Sequence, residues 1–354
     1  MVDYIWWNKV TNASRFLDLI VDSIQMGQSV ILQLPENVPW YATMQEIVST
    51  NIIRQNATRA YRCIKDTGMD PGEYLFYECC KKEKRAHYRP GIGYSEFLAK
   101  SDDIILNEYI LWICEADIEQ VEKWYSFIGD YNKALGRGRQ GCTFILETRF
   151  DQSIKEKKGI RRINYEKEIE QYDNYLFHML AVSPQRDSKV FKQYLAEVVS
   201  SMLPDDIELA SLCIANGRDF LNEPVEMIQK IVNSNVRSDG KKFVLETTEK
   251  RMREGLWEAQ IKVIFPLIEK HRNAIIKKYK SEIEILLPVR TAYGEVIEEV
   301  NEVELGTISY LAATGKIRMS LEDGEKVLKL KSARNALAHL DTLAQSEVDA
   351  IFDL

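Results

Sequence analysis

The sequence is short of the features that most directly announce a function. Its 354 residues hold only four histidines and six cysteines. Cys63, Cys79, Cys80, Cys114, Cys142 and Cys213 include one adjacent pair but no C-x-x-C and no metal-ligand spacing, so neither a metal nor a cofactor is expected. No apolar run approaches the length of a membrane span. The first ten residues, MVDYIWWNKV, carry no basic n-region and no apolar h-region, so no secretory signal is expected. These absences together lead us to expect a soluble chain of the reduced cytoplasm, with no membrane partner. An excess of positive charge is missing as well. The formal net charge is −7, which argues against a protein coated in nucleic acid but leaves room for a local basic patch that holds RNA. Internal repeats and low-complexity tracts are absent too.

What is present is ordinary globular composition, 45% hydrophobic and 29% charged, in a chain long enough for two or three domains. An amphipathic helix is predicted from about Asn12 to Gln25, closed by Gly27. Ser29 to Pro35 (SVILQLP) then reads as a buried parallel strand. Further strands are expected at Ala60 to Ile64, Tyr109 to Cys114, Gly141 to Glu147 and Tyr175 to Val182 (YLFHMLAV). Helical patterns lie between them, at Ala42 to Ile53, Gly72 to Cys80, Ser95 to Leu106 and Ile118 to Leu135. Strands alternating with helices indicate a parallel sheet covered on both faces.

After Ser183-Pro184 the character changes. Lys189 to Asn233 looks helical, and Ser234 to Lys242 (SNVRSDGKK) is a polar linker candidate. A long helix is predicted from about Thr248 to Leu286, with Pro266 as a candidate kink. Shorter helices follow near Val303 to Ala313, Leu321 to Leu340 and Gln345 to Phe352. The expected division is an α/β domain over 1–184, a helical linker region over 185–247 and an all-α helical bundle over 248–354.

The loop after the first strand, Glu36 to Thr43 (ENVPWYAT), contains no glycine and no lysine. A phosphate-cradling loop needs both, glycine for close backbone approach and lysine for charge. Pro39 removes an amide donor and Glu36 would repel phosphate. After the third strand, Glu115 and Asp117 could imitate a Mg²⁺-organising acid or simply open the next helix. The order of elements resembles the AAA/STAND class of P-loop NTPase with its phosphate-binding motifs lost. That resemblance covers about the first half of the chain and implies a scaffold or binding module without nucleotide hydrolysis. The Gly91–Gly93 and Gly136–Gly141 loops read as turns. Arg137 and Arg139, with Lys155, Lys157, Lys158, Arg161 and Arg162, form the most basic stretch, either a weak RNA contact or a solvated face.

The sharpest local feature is Arg334-Asn335-Ala336-Leu337-Ala338-His339. It resembles the R-N-x-x-x-H signature of HEPN domains, helical bundles whose catalytic members are metal-independent ribonucleases. The resemblance covers about the last hundred residues and implies Arg334, Asn335 and His339 as catalytic residues. Metal-free RNA cleavage uses the ribose 2′-OH as nucleophile. Histidine can move the proton near neutral pH, and a forked, permanently charged arginine can stabilise the phosphorane. The two side chains are about 140° apart around one helix, so they would flank a groove. The family resemblance implies a second copy whose motif lines the same cleft. The apolar face around Leu305, Ile308 and Leu311 is the expected pairing surface.

A structural alternative stands beside this reading: Arg334 and His339 late in a helix would favour its dipole, with Asp341 as partner and Asn335 as a buried hydrogen-bonder. Lys270, Arg272, Lys277, Lys278 and Lys280, with His271, make a basic stripe on the long helix that either holds an RNA backbone or solvates the helix. His178 reads as a core histidine and His87 as an exposed one. The six tryptophans read as core or interface anchors. The expected function is a ribonuclease under an inert P-loop-like domain, in prokaryotic antiphage defence or a toxin system. It would act as a homo-oligomer or within a larger complex. The rival is a non-catalytic adaptor subunit of such a complex.

Overall fold

SVILQ (Ser29–Gln33, β1) is apolar and β-branched on both of its faces, and all five residues are buried. Only a strand covered on both sides tolerates that pattern. The computed structural model of the chain describes every residue except 1, 57, 102–104, 137–139, 151–156, 291–293 and 295. The chain divides into two compact units, Met1–Asp173 and Asn174–Leu354.

In the first unit, helices α1 (Val2–Lys9) and α2 (Thr11–Gln25) precede β1, and α3 (Tyr41–Gln55) follows it. Next come β2 (Ala60–Lys65), α4 (Pro71–Cys79), α5 (Lys82–Arg85), α6 (Tyr94–Lys100), β3 (Tyr109–Cys114) and α7 (Ile118–Leu135). Strands β4 (Thr143–Thr148) and β5 (Ile160–Asn164) and the single turn α8 (Tyr165–Glu168) complete it. The sheet order is β2-β3-β4-β1-β5, and every pairing is parallel. Side chains alternate across it. Ile31, Leu111, Ile113, Phe144 and Leu146 join Leu75, Trp124, Ile128 and Tyr131 in a core beneath α4, α6 and α7. Helices α2 and α3 pack against the sheet through β1, β2 and β5. Just ahead of β2, the buried Arg59 guanidinium donates to the carbonyls of Tyr109 and Gly141 and to Thr143 Oγ1, each at 2.8 Å. One cation thereby ties together the chain entering β3 and β4.

One expected strand is a helix here, and one strand was not expected. The apolar run Tyr175 to Val182 is not a strand but most of helix α9 (Gln171–Val182). Phe177, His178, Ala181 and Val182 are buried while Tyr172 and Met179 are exposed, a helical spacing that an eight-residue apolar run conceals. Conversely, Arg161 and Arg162 of the basic stretch lie in β5, the edge strand beside β1. Arg162 reaches Gln33 Oε1 at 2.6 Å and Arg161 reaches Ser23 Oγ at 3.3 Å. Charged side chains suit an edge, where they discourage pairing with another chain, but they hide the strand from a hydrophobicity reading.

The second unit begins within the first turn of α9, so 174–184 belongs with it. It continues through α10 (Lys189–Met202), α11 (Ile207–Asn222), α12 (Pro224–Ser234), α13 (Glu249–Lys278) and α14 (Lys280–Leu286). A two-stranded hairpin, β6 (Val289–Arg290) with β7 (Val296–Ile297), leads to α15 (Leu305–Ala313), α16 (Leu321–Ala338) and α17 (Gln345–Phe352). The segment 185–247 is no linker. Its α10 packs along α13, and buried Arg237 within SNVRSDGKK pairs with Asp206 at 2.7 Å. In α9, buried His178 meets Ser200 Oγ at 2.7 Å through Nδ1, and burial holds its imidazole down to about 3. Helix α13 runs unbroken through Pro266, which sits on its exposed side.

The contact between α10 and α13 depends on Gly255. A Cβ there would meet the Ser201 carbonyl, lying 2.8 Å from its carbon and closer still to its oxygen. Backbone cannot swing aside as a flexible side chain can. Gly255→Ala is therefore expected to lower stability by about 1–3 kcal/mol through overpacking, despite the better helix propensity of alanine. Chemical denaturation of the two proteins measures it, and an unchanged or raised midpoint would contradict the account.

Candidate functional site

The candidate site is the C-terminal end of α16. The helix opens on Ser320, whose Oγ accepts from the Asp323 amide at 3.2 Å. It closes at His339, whose amide is shared by the Asn335 and Ala336 carbonyls at 3.1 Å each. Leu340 then turns the chain at φ +65°, and the Asp341 amide returns to the Ala336 carbonyl at 3.0 Å. Glycine is the usual residue at such a left-handed stop. A leucine there costs about 1–2 kcal/mol, and its side chain is largely exposed.

Helix α13 fixes α16 at both ends. At the far end, Trp257 Nε1 donates to the Leu337 carbonyl at 2.8 Å. One helical turn along α13, buried Gln260 pairs with the Leu343 backbone as a second strand would. Its Nε2 donates to the Leu343 carbonyl at 2.9 Å and its Oε1 accepts from the Leu343 amide at 2.7 Å. At the near end, Lys278 Nζ and Tyr279 OH donate to Asp323 Oδ2 at 2.6 and 2.5 Å. These donors, Lys278 first, hold the Asp323 carboxyl down to about 2. The motif therefore sits on a helix whose register against α13 is set by side chains, and the stop at Leu340 fixes where that helix ends.

Asn335 and His339 are exposed, and Arg334 is partly exposed. The ion partner of Arg334 is Glu304, at the start of α15, at 3.0 Å, whereas Asp341 had been the expected one. Asn335, expected to be buried under the structural alternative, is on the surface. Leu305, Ile308 and Leu311 are almost wholly buried, so the pairing face expected there is already used by the unit's own core. Large apolar side chains that do remain exposed on α16 are Leu321 and Leu328. Their seven-residue spacing continues to Asn335, along one face of the helix.

The basic stripe is largely spoken for. Arg272 donates to Glu269 at 2.7 Å and to the carbonyls of Asn301 and Val303 at 3.1 and 3.0 Å, so it anchors the chain entering α15. Lys278 is held by Asp323, and Lys280 pairs with Glu284 at 3.5 Å. Lys270 and Lys277 are exposed and have no ion pair among the described residues. Arg137 and Arg139 lie outside the described residues. Beside Leu340–Thr342, a groove of about 850 Å³ is lined on the α13 side by Glu249, Arg253, Trp257 and Glu258. Its charges are mixed, and within it Arg253 pairs with Glu249 at 2.8 Å and Lys250 with Glu254 at 3.9 Å. No group of three or more potential metal-ligating side chains occurs among the described residues.

In the first unit, the edge where a parallel sheet offers its ligand crevice is occupied by the chain's own side chains. Tyr41, the first residue of α3, donates from its hydroxyl to Glu147 near the end of β4. Trp112 Nε1 donates to the same carboxylate at 2.7 Å, and Arg149 lies 3.7 Å from it. Arg149 also donates to the Pro35 carbonyl and stacks its guanidinium 5.4 Å from the centre of the Tyr41 ring. Pro39, inside the loop, accepts from Trp7 Nε1 at 3.1 Å. Of the two candidate acids, Asp117 is the helix-entry residue, accepting from the Gln120 amide at 2.8 Å, while Glu115 pairs with Lys65 at 2.7 Å on the surface. Gly93 and Gly136 adopt positive φ at helix ends, as turns require. Glu147 went unnoticed in the sequence because a lone acid ending an apolar strand carries no local signal.

Burial raises the Glu147 carboxyl above the ordinary carboxylate value, against the lowering effect of Tyr41, Arg149 and Trp112. A folded-state value above the unfolded one means that the folded protein binds more protons between the two. The stability contributed is full below the unfolded value and is lost as pH rises through the folded one. Glu147→Gln removes that titration. Its stability relative to wild type should therefore rise with pH across the acid range up to neutrality, in denaturation curves taken at several pH values. A difference that is flat or falls with pH would show that the carboxylate is held ionised instead.

Comparison of the chain with protein-family models, with curated proteins and with solved structures found no match in any of the three.

Proposed function

We propose that the second unit is a metal-independent endoribonuclease of the HEPN type, controlled by a first unit that keeps a P-loop-like sheet without its phosphate site. The observation that carries this reading is the accessibility of Arg334, Asn335 and His339 on one helix end that α13 pins in place. In this reading His339 moves the proton as the ribose 2′-OH attacks phosphorus, and Arg334 stabilises the extra negative charge of the phosphorane. The glycine-free loop closed by Tyr41, Glu147 and Arg149 supports an inert first unit without nucleotide hydrolysis. Its wholly parallel sheet supports the P-loop-like assignment. Among the described residues no helix is long and apolar enough to cross a membrane, and we place the protein in the cytoplasm, in an antiphage defence or toxin system. RNA is the proposed substrate, with Lys270 and Lys277 as its backbone contacts. A second copy is the proposed partner, meeting the exposed stripe of Leu321, Leu328 and Asn335.

The rival reading, a non-catalytic adaptor within a larger complex, is favoured by one contact, the ion pair of Arg334 with Glu304. Incubating total RNA with the full chain in EDTA tests both. For the ribonuclease, His339→Ala and Arg334→Ala each reduce cleavage by about 10²- to 10⁴-fold, and stability changes by less than about 1 kcal/mol, as for exposed residues. The product ends are 2′,3′-cyclic or 3′-phosphates, and Glu304→Gln retains cleavage. For the adaptor, wild type leaves RNA intact, and Arg334→Ala and Glu304→Gln weaken assembly equally. A stable His339→Ala protein with full cleavage would end the ribonuclease reading.

A further inference from the structure

Cys63 of β2 and Cys114 of β3 bring their sulfurs to 3.7 Å. The chemistry of the two is unequal. Cys63 is exposed and Cys114 is buried. The Gln45 amide donates to the Cys63 sulfur at 3.9 Å, and the Cys114 thiol lies between that sulfur and the Ile64 carbonyl, to which it donates at 3.4 Å. The contact with Cys114 is the leading cause that lowers the Cys63 thiol below its ordinary value, while the same contact and burial push Cys114 up. The remaining four cysteines are buried. Burial raises Cys79 to about 11 and Cys213 to about 12, so they stay protonated and unreactive.

An accessible thiol that ionises more readily than its neighbours, with a buried second thiol in reach, is the arrangement from which peroxide-sensitive pairs work. We propose that Cys63 and Cys114 form a reversible redox pair in which Cys63 reacts with a hydroperoxide and Cys114 resolves it to an intrachain disulfide. In the first step the Cys63 thiolate attacks one oxygen of hydrogen peroxide. An S–O bond forms, the O–O bond breaks, the sulfur is oxidised by two electrons, and the departing hydroxide takes a proton to become water. In the second step the Cys114 sulfur attacks Cys63–SOH. An S–S bond forms, the S–O bond breaks, and the leaving hydroxide takes the Cys114 proton as a second water.

The register places Cys63 opposite Trp112 and Cys114 opposite Lys65, so the thiols meet diagonally across the strand pair. Bonding requires them to close to about 2.05 Å. Strand β2 is an edge strand, hydrogen-bonded on one side only, and can shear to allow it. Oxidation also takes the Cys63 sulfur from Gln45, whose amide donates to Tyr41 OH at 2.7 Å. The event therefore reaches the Tyr41–Glu147 contact that closes the sheet edge. Nothing in this proposal depends on the ribonuclease reading of the second unit.

The test uses the reduced full chain, a few equivalents of hydrogen peroxide, alkylation of remaining thiols, and peptide mass spectrometry. The expected result is a Cys63–Cys114 linked peptide, formed at least about tenfold faster than oxidation of any other cysteine and reversed by dithiothreitol. In Cys114→Ser, dimedone should trap a sulfenic acid at Cys63, and excess peroxide should carry it on to the sulfinic acid. The wild-type arm decides the matter even if that variant does not fold. Cys63 recovered as a free thiol, over-oxidised while Cys114 stays reduced, or linked to a second chain would each overturn the proposal.

Discussion

The second unit depends on the way α13 holds α16. Gln260 is the centre of that contact: a buried amide that pairs with both backbone groups of Leu343, as the edge of another strand would. An unpaired buried amide costs on the order of 1–3 kcal/mol, so Gln260 and the loop at Leu343 stabilise each other and neither is placed without its partner. Trp257 secures the last turn of α16 and Asp323 its first, so the helix is fixed along its length and in rotation. Which side chains reach solvent follows directly. Rotated by a third of a turn, α16 would bury Asn335 and expose Leu337. The closeness of α10 to the same helix, which Gly255 permits, makes α13 the common reference for both neighbours.

The first unit shows the reverse economy, in which a site-like place is filled from within. The carboxyl ends of parallel strands are where open α/β sheets bind ligands, and here Tyr41, Glu147, Trp112 and Arg149 satisfy one another across that edge. The loop that would have to approach a phosphate instead gives its Pro35 and Pro39 carbonyls to Arg149 and Trp7. A carboxylate buried among donors suits a closed polar knot and would oppose an anionic ligand.

Much of the architecture was legible in periodicity. Helix α7 is read from Ile118 to Leu135 in both sequence and structure, and the parallel strands β1 and β3 are recognisable because two-sided burial requires unbroken apolar runs. The exceptions share one cause. YLFHMLAV is apolar on a helix that is covered nearly all round, and IRRIN is charged on a strand that has only one neighbour. In both, composition reports the degree of burial and not the backbone conformation. Misreading α9 as a strand then carried the expected domain boundary to Pro184, eleven residues beyond the end of the first unit at Asp173.

The candidate residues divide the same way. Sequence alone determined that Arg334, Asn335 and His339 fall on one helix near its end, because spacing within a helix is local geometry. It also determined that the loop after β1 holds neither the glycine nor the lysine of a P-loop, since both are read directly from ENVPWYAT. Only the tertiary structure decided that Arg334 meets Glu304, that Arg272 and Lys278 serve the fold, and that Leu305, Ile308 and Leu311 are internal. The same holds for Cys63 and Cys114, which are 51 positions apart along the chain, and for Tyr41 and Glu147, separated by 106. Contacts of that range arise from strand order and register, which the hydrophobic pattern constrains only to the correct face, and not to the correct neighbour.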